Sequence, residues 1–309
     1  MKKVLVTGGA GFIGSHTVDL LLQQNTPVRV LDNLSSGFRH NLPVEHDLLE
    51  FIEGDICDAS IVDQCMKDVS HCLNLAAQVS VVNSLADPAF SAQQNILGFV
   101  NVISSAHKHN IDRLVYASSA AIYGEPSELP LTESAPMKQL SPYGLEKAVN
   151  EQYAELFHYL YGLSSQGQRF FNVYGPRQDP KSPYAGVIAL FADRISNQQP
   201  VSVFGDGEHT RDFIYISDVA KANIAALRAT HQGACNIATG SKTSLLDLIQ
   251  ALSELANFTP QIDFLPPREG DIIHSLASPA TMNEKLRVIA DTTLKDGLSM
   301  LLHYHKQNS

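Results

Sequence analysis

Tyr143 and Lys147 stand four residues apart in the run Ser141-Pro142-Tyr143-Gly144-Leu145-Glu146-Lys147, a spacing that puts both side chains on one face of a helix. A phenol with its ordinary pKa near 10 is a poor base at neutral pH. An ammonium about 4 Å away would favour the phenolate by roughly 4 kcal/mol at an effective dielectric near 20, or about three pK units. Such a pair can take a proton from an alcohol and return it. Tyr and Lys at this spacing also occur on ordinary solvated helix faces. Ser118-Ser119 changes the reading, because it ends an apolar run from residue 113 that reads as a strand, and a parallel sheet gathers its reactive groups at such strand ends.

These side chains need a frame, and the chain offers one. Short apolar runs alternate with longer helical patterns from the start, the signature of βαβ units and a parallel sheet. Strands are expected at 3–7, 28–31, 51–53, 71–75, 113–118 and 163–171, with helices at about 15–24, 59–67, 89–109 and 142–161. In the last helix Ser141 can cap the start, Pro142 suits the first position and Gly162 can end it. Leu145, Ala148, Val149, Leu156 and Leu160 recur at helical spacing, which predicts one buried face. After about residue 173 Pro and Gly become frequent and the strands look short.

Val4-Leu5-Val6-Thr7-Gly8-Gly9-Ala10-Gly11-Phe12-Ile13-Gly14 runs from a strand through a glycine-rich turn into an amphipathic helix. Glycines there let the backbone approach a pyrophosphate held at the helix N-terminus. The next strand ends at Asp32, 18 residues after Gly14, where a carboxylate can bind the adenosine ribose hydroxyls and repel a 2′-phosphate. This favours NAD over NADP. The expected fold is α/β: a Rossmann-type, doubly wound parallel sheet with a smaller, mixed α/β substrate-binding lobe. Residues 1–172 are assigned to the NAD-binding domain and 173–309 mainly to the lobe, the chain returning to the first domain around 210–240.

The spacing Gly8-x-x-Gly11-x-x-Gly14, followed by Ser119, Tyr143 and Lys147 in that order, resembles the extended short-chain dehydrogenase/reductase family, above all its NAD-dependent epimerases and dehydratases of nucleotide sugars. The resemblance runs over nearly the whole chain. It implies a catalytic triad of Ser119, Tyr143 and Lys147, with Ser119 bonded to the sugar hydroxyl. It places Gly8, Gly11, Phe12, Ile13, Gly14, Asp32, Asn33, Asp55, Ile56, Leu75, Ala76, Ala77, Gln78, Asn95, Ser118 and Phe170 on NAD, beside Tyr143 and Lys147. Asn74 stands where the family commonly has His.

In the second half, the resemblance assigns Asn172, Arg211 and Arg268 to the substrate diphosphate and Asp271 to the uridine ribose. Arginine suits such places because its planar fork binds phosphate oxygens in pairs. Related dehydratases and decarboxylases commonly carry an acid after the strand-end Ser/Thr; Ala120-Ala121 stands there instead. Reversible oxidation alone is then expected, as in 4-epimerisation of a UDP-hexose through a 4-keto sugar. Ser275 stands where epimerases with narrow pockets have Tyr, so room for an N-acetyl group at C2 is expected. A UDP-glucuronate or ADP-heptose epimerase, a hydride-exporting reductase and a non-catalytic NAD-binding regulator stay open. Family members usually dimerise through a four-helix bundle, here from about 89–109 and 142–161.

Composition narrows the classes. A formal net charge of −10 disfavours a nonspecific grip on nucleic acid. The four cysteines, at 57, 65, 72 and 235, form no CxxC pair, which argues against zinc and suggests free buried thiols in a reducing compartment. His107/His109 and His303/His305 are two apart, which splits them across helix faces, so no metal is expected. The apolar run after Lys3 is too short for a signal peptide and no stretch could span a bilayer. The chain reads as cytoplasmic.

Overall fold

A computed structural model describes residues 2–180, 186–267 and 272–308. Seven parallel strands form the central sheet in the order β11-β6-β5-β4-β1-β2-β3: β1 (Val4–Thr7), β2 (Val28–Asp32), β3 (Leu49–Glu53), β4 (His71–Asn74), β5 (Arg113–Ser119), β6 (Ser165–Phe170) and β11 (Gly233–Ile237). The chain winds outward from β1 to β3, then returns to start β4 on the other side of β1. That reversal opens a crevice between the ends of β1 and β4, as a doubly wound sheet must.

Helices cover both faces of the sheet. One face packs Val4, Val6, Val28 and Val30 against α1 (Phe12–Gln23) and α8 (Ile216–Arg228). The other packs Leu5, Leu31, Cys72 and Leu114 against α2 (Ala59–Cys65) and α5 (Gly98–Lys108). The helix expected over 89–109 is an interrupted run: α4 (Pro88–Ala92), capped by Asp87, a π-helical turn over Gln93–Leu97, then α5. Before it comes a short helix that the sequence pattern did not suggest, α3 (Val81–Ala86). The strand expected to run to 171 stops at Phe170. Asn172–Tyr174 then forms β7, which pairs with β10 (Phe213–Tyr215) outside the main sheet.

α6 (Pro142–Tyr161) has the expected ends: Ser141 accepts a bond from Gly144 N–H, Pro142 occupies the first turn, and Gly162 takes φ +70°. Its buried face matches the expectation at Ala148 but not at the leucines. Leu145, Leu156 and Leu160 are about half exposed, whereas Glu146, Lys147, Ala148, Asn150 and Ala154 are buried. Periodicity located an apolar stripe but not the direction it faces, and here the helix turns its functional, polar side inward.

Beyond β7 come α7 (Val187–Ser196), β8 (Val201–Phe204), β9 (Thr210–Arg211), β12 (Thr243–Ser244), α9 (Leu245–Ala256), β13 (Ile262–Leu265) and α10 (Leu294–Asn308). The strands pair two by two, β12 with β9 and β13 with β8. No helix among the described residues is long and apolar enough to cross a membrane.

Candidate active site

A cleft of about 1390 Å³ opens along the strand ends between the sheet and the second half of the chain. That exceeds the volume of an ordinary small-ligand pocket and suits two extended ligands meeting end to end. Its floor begins at the glycine turn. Gly8 has φ +68°, and a Cβ there would sit 2.6 Å from Ala76 N; a Cβ at Gly14 would fall onto the Gly8 carbonyl. The N-terminus of α1 has no capping side chain and no acid in its first turn. The N–H groups of Phe12, Ile13 and Gly14 therefore have no partner within the helix and can bind an anion. This cradle fits a dinucleotide pyrophosphate.

The Asp32 carboxylate is held by two backbone donors, Ala10 N–H at 2.8 Å and Leu34 N–H at 2.9 Å. It thereby fixes the glycine turn and the following loop while keeping lone pairs for a ribose. Asn33 Nδ2 donates to Asp55 at 2.9 Å. Partial burial works against the Asp55 charge, but bonds from Cys57 N–H and Asn33 outweigh it and hold the carboxyl below its ordinary range. On β4, Asn74 accepts from Thr7 Oγ1 at 2.6 Å, and Thr7 Oγ1 accepts from Ala76 N–H at 3.3 Å. Asn74 thus fastens the end of β4 to β1.

Ser119, Tyr143 and Lys147 come together on one wall of this cleft. Ser119 ends β5, its hydroxyl hydrogen-bonded to Tyr143 and accepting from Ala121 N–H at 3.1 Å. Lys147 Nζ lies 5.6 Å from the centre of the Tyr143 ring. Burial lowers the Lys147 ammonium to about 8, opposed by the neighbouring Glu146 carboxylate. The phenol differs from expectation: burial raises Tyr143, with the Ser119 bond pulling down and Glu146 adding to the rise. Desolvation thus sets the direction for the phenol.

Gly8, Gly11, Phe12, Ile13, Gly14, Asp32, Asn33, Asp55, Ile56, Leu75, Ala76, Ala77, Ser118, Phe170, Asn172, Arg211 and Ser275 also line the cleft. The Ser118 hydroxyl itself is turned back to Glu151 at 2.5 Å. That carboxylate forms a buried pair with Arg169 at 2.7 Å. Gln78 and Asn95 are not part of the lining. The Gln78 side chain bonds Ser80 and Ser91, and Asn95 is buried against Gln78 and Glu146. Arg268 and Asp271 lie outside the described residues.

Several lining residues escaped the sequence reading. Ser35, Ser36 and Gly37 follow Asp32-Asn33 in a tight turn against Ala10 and Gly11; a small, polar, glycine-ended run after the acid was the available signal. Arg177 takes φ +68° and pairs with Asp19 of α1 at 2.8 Å. With the 2.9 Å contact from His16 Nε2 to Pro176 O, it ties the chain beyond β7 to the nucleotide helix. No local pattern announces that pairing. The described residues contain no group of three or more His, Cys, Asp or Glu placed to hold a metal ion.

The UDP-N-acetylglucosamine 4-epimerase from Methanobrevibacter ruminantium M1, solved with UDP-N-acetylmuramic acid, superposes with a TM-score of 0.97 at 38% identity, covering 100% of this chain and 99% of the other. The UDP-glucose 4-epimerase from Thermotoga maritima, solved with UDP-glucose, gives 0.95 at 37% identity, covering 99% of each chain. The UDP-glucose 4-epimerase of Mycolicibacterium smegmatis is 35% identical over 312 residues, again 99% of each chain. The family model for NAD-dependent epimerases and dehydratases matches residues 4–238, and the chain belongs to that family.

Proposed function

We propose that this chain is an isomerase that interconverts UDP-hexoses at C4, using NAD retained in the cleft. The observation that carries the proposal is the meeting of Ser119, Tyr143 and Lys147 in the same cleft as the glycine turn and Asp32, with alanines, not an acid, directly after Ser119. NAD supplies a reversible hydride acceptor when bound. Tyr143 takes the proton of the 4-hydroxyl and later returns it. Lys147 stabilises the phenolate, and Ser119 aligns the hydroxyl through the bond it makes to Tyr143. Asn172 and Arg211 from the second half of the chain, with Arg268 and Asp271, are proposed to hold the UDP moiety while the 4-keto sugar turns over. The remaining assigned residues, from Gly8 to Phe170, are proposed to bind NAD, Gln78 and Asn95 from behind the lining.

Ser275 lies on the substrate side of the cleft, its N–H bonded to Thr210 O at 3.1 Å. Its small side chain supports N-acetylated substrates beside plain ones. The outer face of α6 with the adjoining helices exposes Leu145, Leu156, Leu160, Phe90 and Leu97, which supports a homodimer built on these helices. Four unpaired thiols support a reducing, cytoplasmic location. The deciding experiment incubates purified protein, without added cofactor, with UDP-glucose, UDP-N-acetylglucosamine or UDP-glucuronate and follows products by proton NMR. Galacto epimers of the first two are expected. Conversion of UDP-glucuronate alone would transfer the assignment to that sugar, and no conversion even with added NAD would refute it.

A further inference from the structure

Glu146 sits between the two residues of the Tyr143–Lys147 pair in sequence, yet it points away from the cleft and into the protein, where it is buried. Its Oε2 accepts from Asn95 Nδ2 at 2.6 Å and from Ser91 Oγ at 2.8 Å. Asn95 occupies the π-helical turn before α5, a distortion frequent at functional positions. The amide grips the Gln78 peptide at both ends: Nδ2 donates to Gln78 O and Oδ1 accepts from Gln78 N–H, each at 2.9 Å. Gln78 directly follows Leu75, Ala76 and Ala77, which line the cleft. The Ser91 hydroxyl also accepts from Gln78 Nε2 at 3.1 Å.

Every polar contact to Glu146 is therefore a donor, and every one leads to the segment leaving β4. The direction of these bonds is fixed. Asn95 must present its oxygen to Gln78 N–H, so both protons of its nitrogen point outward, to Gln78 O and to Glu146. Oε2 thus acts as acceptor, while Oε1 is buried without a hydrogen-bond partner. A carboxylate in such a place costs free energy unless a charge nearby repays it. The adjacent Lys147 is the candidate, because other charged groups on the elements packed against α6 are engaged elsewhere. Arg169 is paired with Glu151, and Arg113 with carbonyls, Ser164 and Gln166. Asp87 caps α4, Lys108 pairs with Asp63, and His107 stacks on Tyr161.

We infer that Glu146 is a positioning residue with two roles: through Asn95 and Ser91 it holds the 75–78 wall of the cofactor groove against α6, and through its charge it keeps Lys147 protonated. The second role rests on the proposed epimerase reading; the first does not. In the linkage, burial drags the Lys147 pKa down and Glu146 holds it up. The ammonium is present below its pKa of about 8 and lost as pH rises through it; removing the Glu146 charge moves that loss to lower pH.

Two variants separate the roles. Glu146→Gln keeps an oxygen that can accept from Asn95 and Ser91, and it places its amide where Oε1 had no partner. It is expected to retain NAD while the alkaline limb of its kcat profile shifts down by about one pK unit. Glu146→Ala removes the anchor as well and is expected to lose bound NAD, read from the ultraviolet absorbance of the purified protein and from a Kd weakened about tenfold. A profile for Glu146→Gln that superimposes on the parent overturns the charge role. Unchanged NAD affinity in folded Glu146→Ala overturns the clamp. A parent protein that does not epimerise refutes the functional reading and the charge role with it, leaving the NAD measurement to decide the clamp.

Discussion

The two sides of the cleft are built differently. On the cofactor side, backbone and side chain lock one another at close range: Asp32 on Ala10 and Leu34, Asn41 on Ala10 O, Asn74 on Thr7, and Thr7 on Ala76. All of this rests on continuous parallel strands. On the substrate side the strands are short and paired two by two, and one buried carboxylate ties the loops between them. Asp212 accepts from Thr239 N–H and Oγ1, from Gly240 N–H and from Ala277 N–H. Burial raises its pKa and those donors oppose the rise. A preformed backbone cradle suits a ligand that stays. Side chains such as Arg211 and Ser275, carried on short segments, suit one that enters, turns and leaves. Tyr143 and Lys147 stand where the two constructions meet.

Tyr143→Phe removes only the acidic hydroxyl, so turnover should fall about 10³-fold or more while NAD stays bound; near-parent rates would remove Tyr143 from the chemistry. Gly14→Ala drives a Cβ into the Gly8 carbonyl and should cost about 3 kcal/mol of stability together with bound NAD. Gly162→Ala has open space around its Cβ and should cost only about 1 kcal/mol, the strain of the left-handed backbone, in thermal or denaturant unfolding. Equal costs would show that the cradle is no tighter than a helix end. Ser275→Tyr should spare UDP-glucose while lowering turnover of UDP-N-acetylglucosamine about tenfold; equal loss on both would contradict the pocket reading.

The cofactor side was also the legible side. Glycines at 8, 11 and 14, an acid at 32 and the Tyr–Lys spacing are local constraints, so they are written as short spacings along the chain. Non-local features were hidden. The buried face of α6 was read correctly at Ala148 and wrongly at Leu145, Leu156 and Leu160, which face outward. Gln78 and Asn95, assigned to NAD, stand one layer behind the cleft lining, because sequence gives position and not side-chain direction. Glu146 carried no signal at all, since a glutamate on a helix ordinarily faces water, and only packing against the π-turn reveals it. Arg177 with Asp19 joins residues 158 positions apart, beyond any spacing rule.

Reversible oxidation at C4 by NAD retained in the cleft returns to the sugar the same hydrogen it removed. UDP-glucose carrying deuterium at C4, incubated in ordinary water with the protein and no added NAD, tests it directly. UDP-galactose with the deuterium still at C4 is expected. Product that has exchanged its C4 label for solvent hydrogen would contradict it, because inversion would then proceed by proton loss to water and not by hydride held within the site.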